Sequence, residues 1–244
     1  MVAVVLWLVS TLTSAQDVRP VQPASTYVTG SAFCVAPNGL FATANHVIKG
    51  REVIFLGQSA ADKFLRARLI KADADLDLAL LQVQGSCRPV EIAEWSSVPI
   101  GLDVYVLGYP SPTYLGRSLK ITNGLISGYR RSTDMLFQLS AAVQKGNSGG
   151  PVFSPDGLVV GVVERKLDAL KMAEKNGDLV QNVSYAIQSA SLCRFLKSNG
   201  VDCAPKQVDP KARKMSHQIY ADNLATTWIV IARDSKTDDN QANN

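Results

Sequence analysis

From Tyr27 to Gln188 the chain is a succession of short β-branched or alternating apolar runs, each closed by a turn signal. That spacing is what an all-β barrel or sandwich requires. The first group reads "STYVTGSAFCVA", "LFATANHVI", "REVIFLG", "FLRARLIKA", "LALLQV" and "RPVEIAE", with a "PNG" turn after the first run. The second reads "DVYVLGYP", "SLKITNGLISGYR", "MLFQLSAAV", "PVF", "LVVGVVERK" and "VSYAIQ". "SPDG" separates two of these as a hairpin turn, Pro presetting φ and Gly accepting a positive one. Two sets of about six strands predict two packed barrels, jointed near "VPIG" at residues 98–101. After Gln188 the serines of "SASLCRFLKSNG" and its final Gly200 bracket a short helix. Beyond Cys203 the chain becomes a basic, polar tail with one apolar segment, "ATTWIVIA", which can add a strand or pack over a barrel.

This organisation puts one barrel at residues 24–100 and the second at 101–190. Helix and tail occupy 191–244, and the closing "DSKTDDNQANN" is expected to be disordered. With 244 residues and 46% apolar content the chain can bury a substantial core. The formal charge of +4 is spread without a basic block, and the aromatics do not interleave with Lys or Arg. Nucleic acid is therefore not an expected partner.

The N-terminal "MVAVVLWLVSTLTSA" has no charged side chain, an apolar run from Val2 to Val9, and small residues at Thr13 and Ala15. It reads as a signal peptide over residues 1–15, cut after Ala15. The run is short of the roughly 20 residues that span a bilayer. A secreted or periplasmic chain follows, with no membrane association after cleavage. Cys34, Cys87, Cys193 and Cys203 all lie in the mature part and form no C-x-x-C, and with two histidines in the chain a zinc cage is not expected. An even count in an oxidising compartment favours disulfides. Cys193 and Cys203 can close a short loop, leaving Cys34 with Cys87, although three pairings are open.

One hexapeptide interrupts the β pattern. "GNSGGP", Gly146 to Pro151, puts three glycines and one serine between apolar runs. A surface turn accounts for it; so does a nucleophile held where backbone N–H groups reach an oxyanion. Ser148 would need a base, because a hydroxyl is hardly ionised at neutral pH, and imidazole suits that task. His217 lies in the polar "RKMSHQIY", whereas His46 ends the apolar run "LFATANHV". A third group must orient the imidazole. In "KADADLDLALLQV" the candidates are Asp73, Asp75 and Asp77, which share a face if the segment is extended. Asp77, at the edge of "LALL", is the one drawn inward, and Asp73 reads as part of a solvated turn. A buried carboxylate needs a partner, which an imidazole N–H supplies.

"TANHV", "DLALL" and "GNSGGP", in the order His, Asp, Ser, resemble the chymotrypsin-fold serine proteases, and most of all the HtrA/Deg-type protease domain. "TGSAFCVAPNGLFATANHVI" and "SYAI" fit the same pattern, so the resemblance covers about Thr29 to Gln188. It implies two six-stranded antiparallel barrels, all-β, with a short C-terminal helix and tail. It further implies His46 as general base, Asp77 as its orienting acid and Ser148 as nucleophile. The oxyanion hole would be made at Gly146, Asn147 and Ser148, by the N–H groups of Gly146 and Ser148. By the same alignment Ala142 would floor the pocket for the residue ahead of the cut bond. The segment around Val162, Val163 and Glu164 would pair with substrate backbone, and Tyr185 would lie in the same binding region. No cofactor or metal is implied, and the partners would be protein or peptide substrates.

Two departures qualify the resemblance. Asn147 stands where proteases activated by N-terminal clipping carry Asp, so that activation is not expected. Residues 204–244 are too few for the PDZ domain usual in HtrA-type enzymes. The expected activity is that of a serine endopeptidase with a small apolar preference. A catalytically silent peptide-binding pseudoprotease is the alternative, and an esterase with the same triad ranks last.

Overall fold

The computed structural model describes residues 27–58, 63–129, 135–166 and 183–235. The expected signal peptide and the chain end at 236–244 lie outside the described residues. Two closed barrels account for all the strands among the described residues, and every pairing within them is antiparallel. The elements run β1 (Tyr27–Ala36), β2 (Leu40–Ala44), α1 (Asn45–Ile48), β3 (Val53–Gln58), β4 (Lys63–Asp73) and β5 (Leu78–Gln82). A 3₁₀ turn (Trp95–Ser97) precedes β6 (Asp103–Gly108), α2 (Pro112–Leu115), β7 (Lys120–Tyr129) and β8 (Leu136–Leu139). Then come β9 (Pro151–Phe153), β10 (Val159–Lys166), β11 (Ser184–Gln188), α3 (Ser189–Ser198), α4 (Ser216–Asn223) and β12 (Thr227–Arg233).

The second barrel, in the order β10-β11-β8-β7-β6-β9, is built wholly from the second group of apolar runs. The first barrel has the order β1-β12-β3-β4-β5-β2. Its sixth strand is therefore the apolar segment of the tail, which pairs with β1 from Tyr27↔Arg233 to Phe33↔Thr227 and with β3 from Ile229↔Gly57 to Arg233↔Val53. This corrects the expected boundaries: residues 24–100 supply only five strands of that barrel, and the tail is not an appendage. "RPVEIAE", read as the sixth strand, makes only isolated bridges, Ile92↔Val159 and Ala93↔Lys206. Pro89 has no N–H to donate, and the segment crosses from one barrel to the other, Val90 donating to the Cys34 carbonyl of β1 and Ala93 to the Val159 carbonyl of β10. β12 is the better barrel strand because Thr227, Ile229, Val230 and Ala232 are all buried, and the Trp228 ring packs 4.8 Å from that of Phe41.

Phe41, Leu56 and Val230 fill the first barrel, and Ile126, Phe137 and Val160 the second. A third cluster, including Phe33, Leu80, Leu107, Tyr109 and Phe153, is continuous across the seam between them. Burial of this kind is worth about 25 cal/mol per Å² of apolar surface, so the seam is a packed interface on which a shared site can be held. α3 starts two residues earlier than the expected boundary and ends ahead of Gly200, whose φ is 73°. The polar run at 216–223, read as tail, forms α4 with Ile219 buried. The disulfides join Cys34 to Cys87 and Cys193 to Cys203, one of the three open pairings.

Candidate active site

His46 lies on α1, a single helical turn that follows β2 directly. The sequence had placed it at a strand end; the turn swings it across to Asp77. The segment before Asp77 is not extended. Asp73 Oδ1 accepts from the backbone N–H of Asp75 (3.0 Å) and of Leu76 (2.9 Å), and this nucleates a turn. Asp77 closes that turn with φ 52°, in the left-handed region where Asp is among the few side chains tolerated. Its carboxylate then meets His46 twice. Oδ1 accepts the His46 backbone N–H at 2.8 Å and Oδ2 lies 2.6 Å from Nδ1. The Asp77 carbonyl also accepts from Asn45 N–H at 3.0 Å. Asp77 is largely shielded while the imidazole is nearly half exposed, 19% against 46%. The pair thus has a sheltered acid and an accessible base.

Ser148 is carried by the loop between β8 and β9. At Gly146 φ is 99°, and a Cβ there would run into the Tyr109 carbonyl, so the loop can turn only with glycine at this position. Among the described residues, the N–H groups of Gly146 and Ser148 donate to no other protein group. Asn147, between them, is buried, donating its N–H to the Gln144 carbonyl at 3.0 Å. Among the described residues its Oδ1 has no hydrogen-bond partner, and it packs against Gly108. The Ser148 hydroxyl donates to the Glu164 carbonyl at 3.1 Å, and among the described residues it makes no hydrogen bond to His46.

Ser31, which sequence reasoning missed, ties the two halves together. Its N–H donates to the Ser148 carbonyl (2.8 Å), and its Oγ donates to the Gly146 carbonyl (2.7 Å) while accepting from Tyr109 N–H (3.0 Å). Thr43, three residues before His46, donates to the Ser31 carbonyl at 2.8 Å. A serine inside the apolar run "GSAFCVA" was the only local signal, and the structure buries it fully. Gly30, also missed, allows the same close approach: a Cβ there would fall 2.5 Å from Val47 and 3.1 Å from the Ser148 carbonyl. The structure therefore brings the Asp77–His46 turn and the Gly146–Ser148 loop against the same short stretch of β1.

The expected substrate-binding residues divide. Val162 and Val163 are fully buried in the core, and Val163 already exchanges both backbone hydrogen bonds with the Gly149–Gly150 segment. Val162 is registered with Ile187 on one side and Pro151 on the other. That part of β10 has no free edge, which corrects the expectation that substrate pairs along it. Glu164 is the extra residue of a bulge between Val163 and Arg165, where the pairing with β11 shifts register. Ala142 is exposed on the Ser148 loop, its carbonyl held by Thr122 Oγ1 at 2.9 Å. Tyr185 is half-buried on β11, opposite Gln138 and Arg165. His217 is exposed on α4, apart from this cluster. Among the described residues no group of His, Cys, Asp and Glu side chains could hold a metal ion.

Two closed antiparallel six-stranded barrels with such a site at their seam define the chymotrypsin-like class. A family profile described as trypsin-like peptidase domain matches residues 30–162, and the chain belongs to that family. It is 37% identical over 179 residues to the uncharacterized protein y4bJ of Sinorhizobium fredii, covering 70% of this chain and 27% of that one. It is 34% identical over 146 residues to a probable periplasmic DegP-like serine endoprotease of Hahella chejuensis, covering 57% of this chain and 30% of that one. To the protein of the same description in Rickettsia prowazekii it is 37% identical over 144 residues, covering 54% and 27%. The chain thus spans under a third of the length of these curated relatives.

Proposed function

We propose that the chain is an exported serine endopeptidase that works through an acyl-enzyme, with His46, Asp77 and Ser148 as its triad. The observation that carries this reading is the double contact of Asp77 with His46 beside a glycine-turned loop whose Gly146 and Ser148 N–H groups are uncommitted. With its Nδ1–H held by Asp77, neutral His46 presents Nε2 as an acceptor. Ser148 Oγ attacks the scissile carbonyl while its proton passes to Nε2. The oxygen that becomes negative accepts from the N–H groups of Gly146 and Ser148, an interaction worth about 2.7–4 kcal/mol of barrier per donor. Collapse breaks the C–N bond, and the leaving amine takes the proton from His46. Water then attacks the ester by the same route and returns the proton to Ser148.

The hydrogen bond from Ser148 to Glu164 fits into this scheme. A substrate strand added at Glu164 donates a backbone N–H to that carbonyl. It thereby displaces the Ser148 hydroxyl, which is free to turn to His46. Ala142, the expected floor of the pocket, would favour small apolar residues ahead of the cut, since its own side chain carries no charge to offset a buried cation. Export to the periplasm is supported by the sequence of residues 1–15 and by the names of the DegP-like relatives.

Incubating the protein with a reduced, unfolded model protein, beside the Ser148→Ala variant, tests the reading. Cleavage by the parent alone, after small apolar residues, is the expected result. Binding of the unfolded chain with no cleavage by either would instead establish the silent peptide-binding module. Cleavage by both would remove Ser148 from the chemistry.

A further inference from the structure

We propose that the chain carries a subsite for an acidic side chain on the leaving-group side of the cut, centred on Arg117. The inference rests on the endopeptidase reading above. Ser148 stands between two strands, its hydroxyl on the Glu164 carbonyl of β10 and its own carbonyl on the Ser31 N–H of β1. If the acyl half of a substrate lies on the Glu164 side of Ser148, the other half leaves across β1. There it meets the 109–117 loop, which is fastened to the Ser148 loop by Ser111 N–H donating to the Lys145 carbonyl at 2.7 Å.

A cavity of about 480 Å³ lies on that path. Tyr27 and Thr29 line it from β1, Thr113 and Arg117 from the loop, and Ile229 and Ile231 from β12. Thr29 and Tyr27 follow Ser31 at strand spacing on one face, so they stand about 7 and 13 Å beyond it. Thr29 is thus at the reach of the second residue after the cut bond and Tyr27 at that of the fourth, so a subsite between them takes the second or third. The Tyr27 hydroxyl lies 3.1 Å from Thr113 Oγ1 and spans the cleft between strand and loop.

The chemistry of the lining is one-sided. It offers a guanidinium, three hydroxyls and an apolar floor, and no carboxylate. Among the described residues no acid pairs with Arg117; its guanidinium rests 5.8 Å from the centre of the Phe64 ring, a contact that orients it without neutralising it. A short apolar stem ending in a carboxylate, as in glutamate, matches both parts, the floor taking the stem and the guanidinium the two oxygens.

Partitioning of the acyl-enzyme measures this subsite directly. The full chain is acylated by a small p-nitrophenyl ester, releasing p-nitrophenolate. Ala-Glu-amide and Ala-Ala-Glu-amide, or their Gln counterparts, then compete with water for the Ser148 ester. In aminolysis the acceptor nitrogen forms an amide bond, the bond from the acyl carbon to Ser148 Oγ breaks, and the amine proton passes through His46 back to Ser148. Each aminolysis-to-hydrolysis ratio is internal to one acyl-enzyme and does not depend on how fast it formed. Glu acceptors are expected to capture the acyl group about two- to fivefold better than Gln, the range open to an exposed ion pair. Arg117→Ala should erase the difference, and Arg117→Lys should keep part of it. Equal capture of Glu and Gln in both series, or a preference that survives Arg117→Ala, would overturn the subsite. A parent that releases no more p-nitrophenolate than Ser148→Ala would overturn the endopeptidase reading instead.

Discussion

Asp77 holds His46 by both carboxylate oxygens, one on the backbone N–H at 2.8 Å and the other 2.6 Å from Nδ1. The first contact fixes where the residue sits; the second sets which ring nitrogen carries the proton. Asp77→Asn preserves the shape but can offer its own N–H to Nδ1, which moves the ring proton to Nε2. The variant should fold normally and lose about 10⁴-fold in kcat, the cost of the wrong tautomer in such a triad. Steady-state hydrolysis of a p-nitrophenyl ester checks this, and a loss below tenfold would remove Asp77 from the role.

Ser31→Ala deletes the hydroxyl that bridges the Gly146 carbonyl and the Tyr109 N–H. Each buried group left without a partner costs about 1–3 kcal/mol. Because one of them belongs to the loop that aims the Gly146 N–H, kcat should fall more than KM rises. A variant that loses stability but keeps the parental kcat would make Ser31 a purely structural brace.

β12 should behave as core rather than as tail. Val230, fully buried opposite Gly30 and Leu56, should cost about 1.5–3 kcal/mol when cut to Ala. Denaturant unfolding measures the loss, and amide hydrogen exchange across 227–233 should be as slow as in β1. Rapid exchange in that segment would show that the first barrel closes without it.

The two disulfides should differ in weight. Loop-closure entropy assigns about 4 kcal/mol to Cys34–Cys87 and about 3 kcal/mol to Cys193–Cys203, whose sequence separations are 53 and 10. Paired Cys→Ser variants unfolded in urea compare them, and the reverse order would contradict that account.

The parts of the molecule that the sequence announced are those determined by local chemistry. The six strands of the second barrel follow one another along the chain, so alternation and turn residues were enough to find them. "GNSGGP" was legible because no apolar strand needs three glycines. The first barrel was only partly legible. Alternation marks Thr227–Arg233 as a strand, but its partners lie 194 to 206 residues away in β1 and 172 to 180 away in β3, and local pattern says nothing about so distant a partner. Asp77 was singled out for the right neighbour by an extended-strand argument, whereas a left-handed turn organised by Asp73 is what delivers it. Val162 and Val163 were misjudged because an apolar strand looks the same whether its edges are free or used. Ser31 was passed over because its role depends on three groups far from it in the chain.

The most direct test of the central claim is to treat the folded protein with a fluorophosphonate and locate the adduct by peptide mass spectrometry. The account predicts a single phosphonylated residue, Ser148, with labelling lost in His46→Ala and sharply slowed in Asp77→Asn. Labelling at another serine, or undiminished labelling of Ser148 without His46, would contradict it.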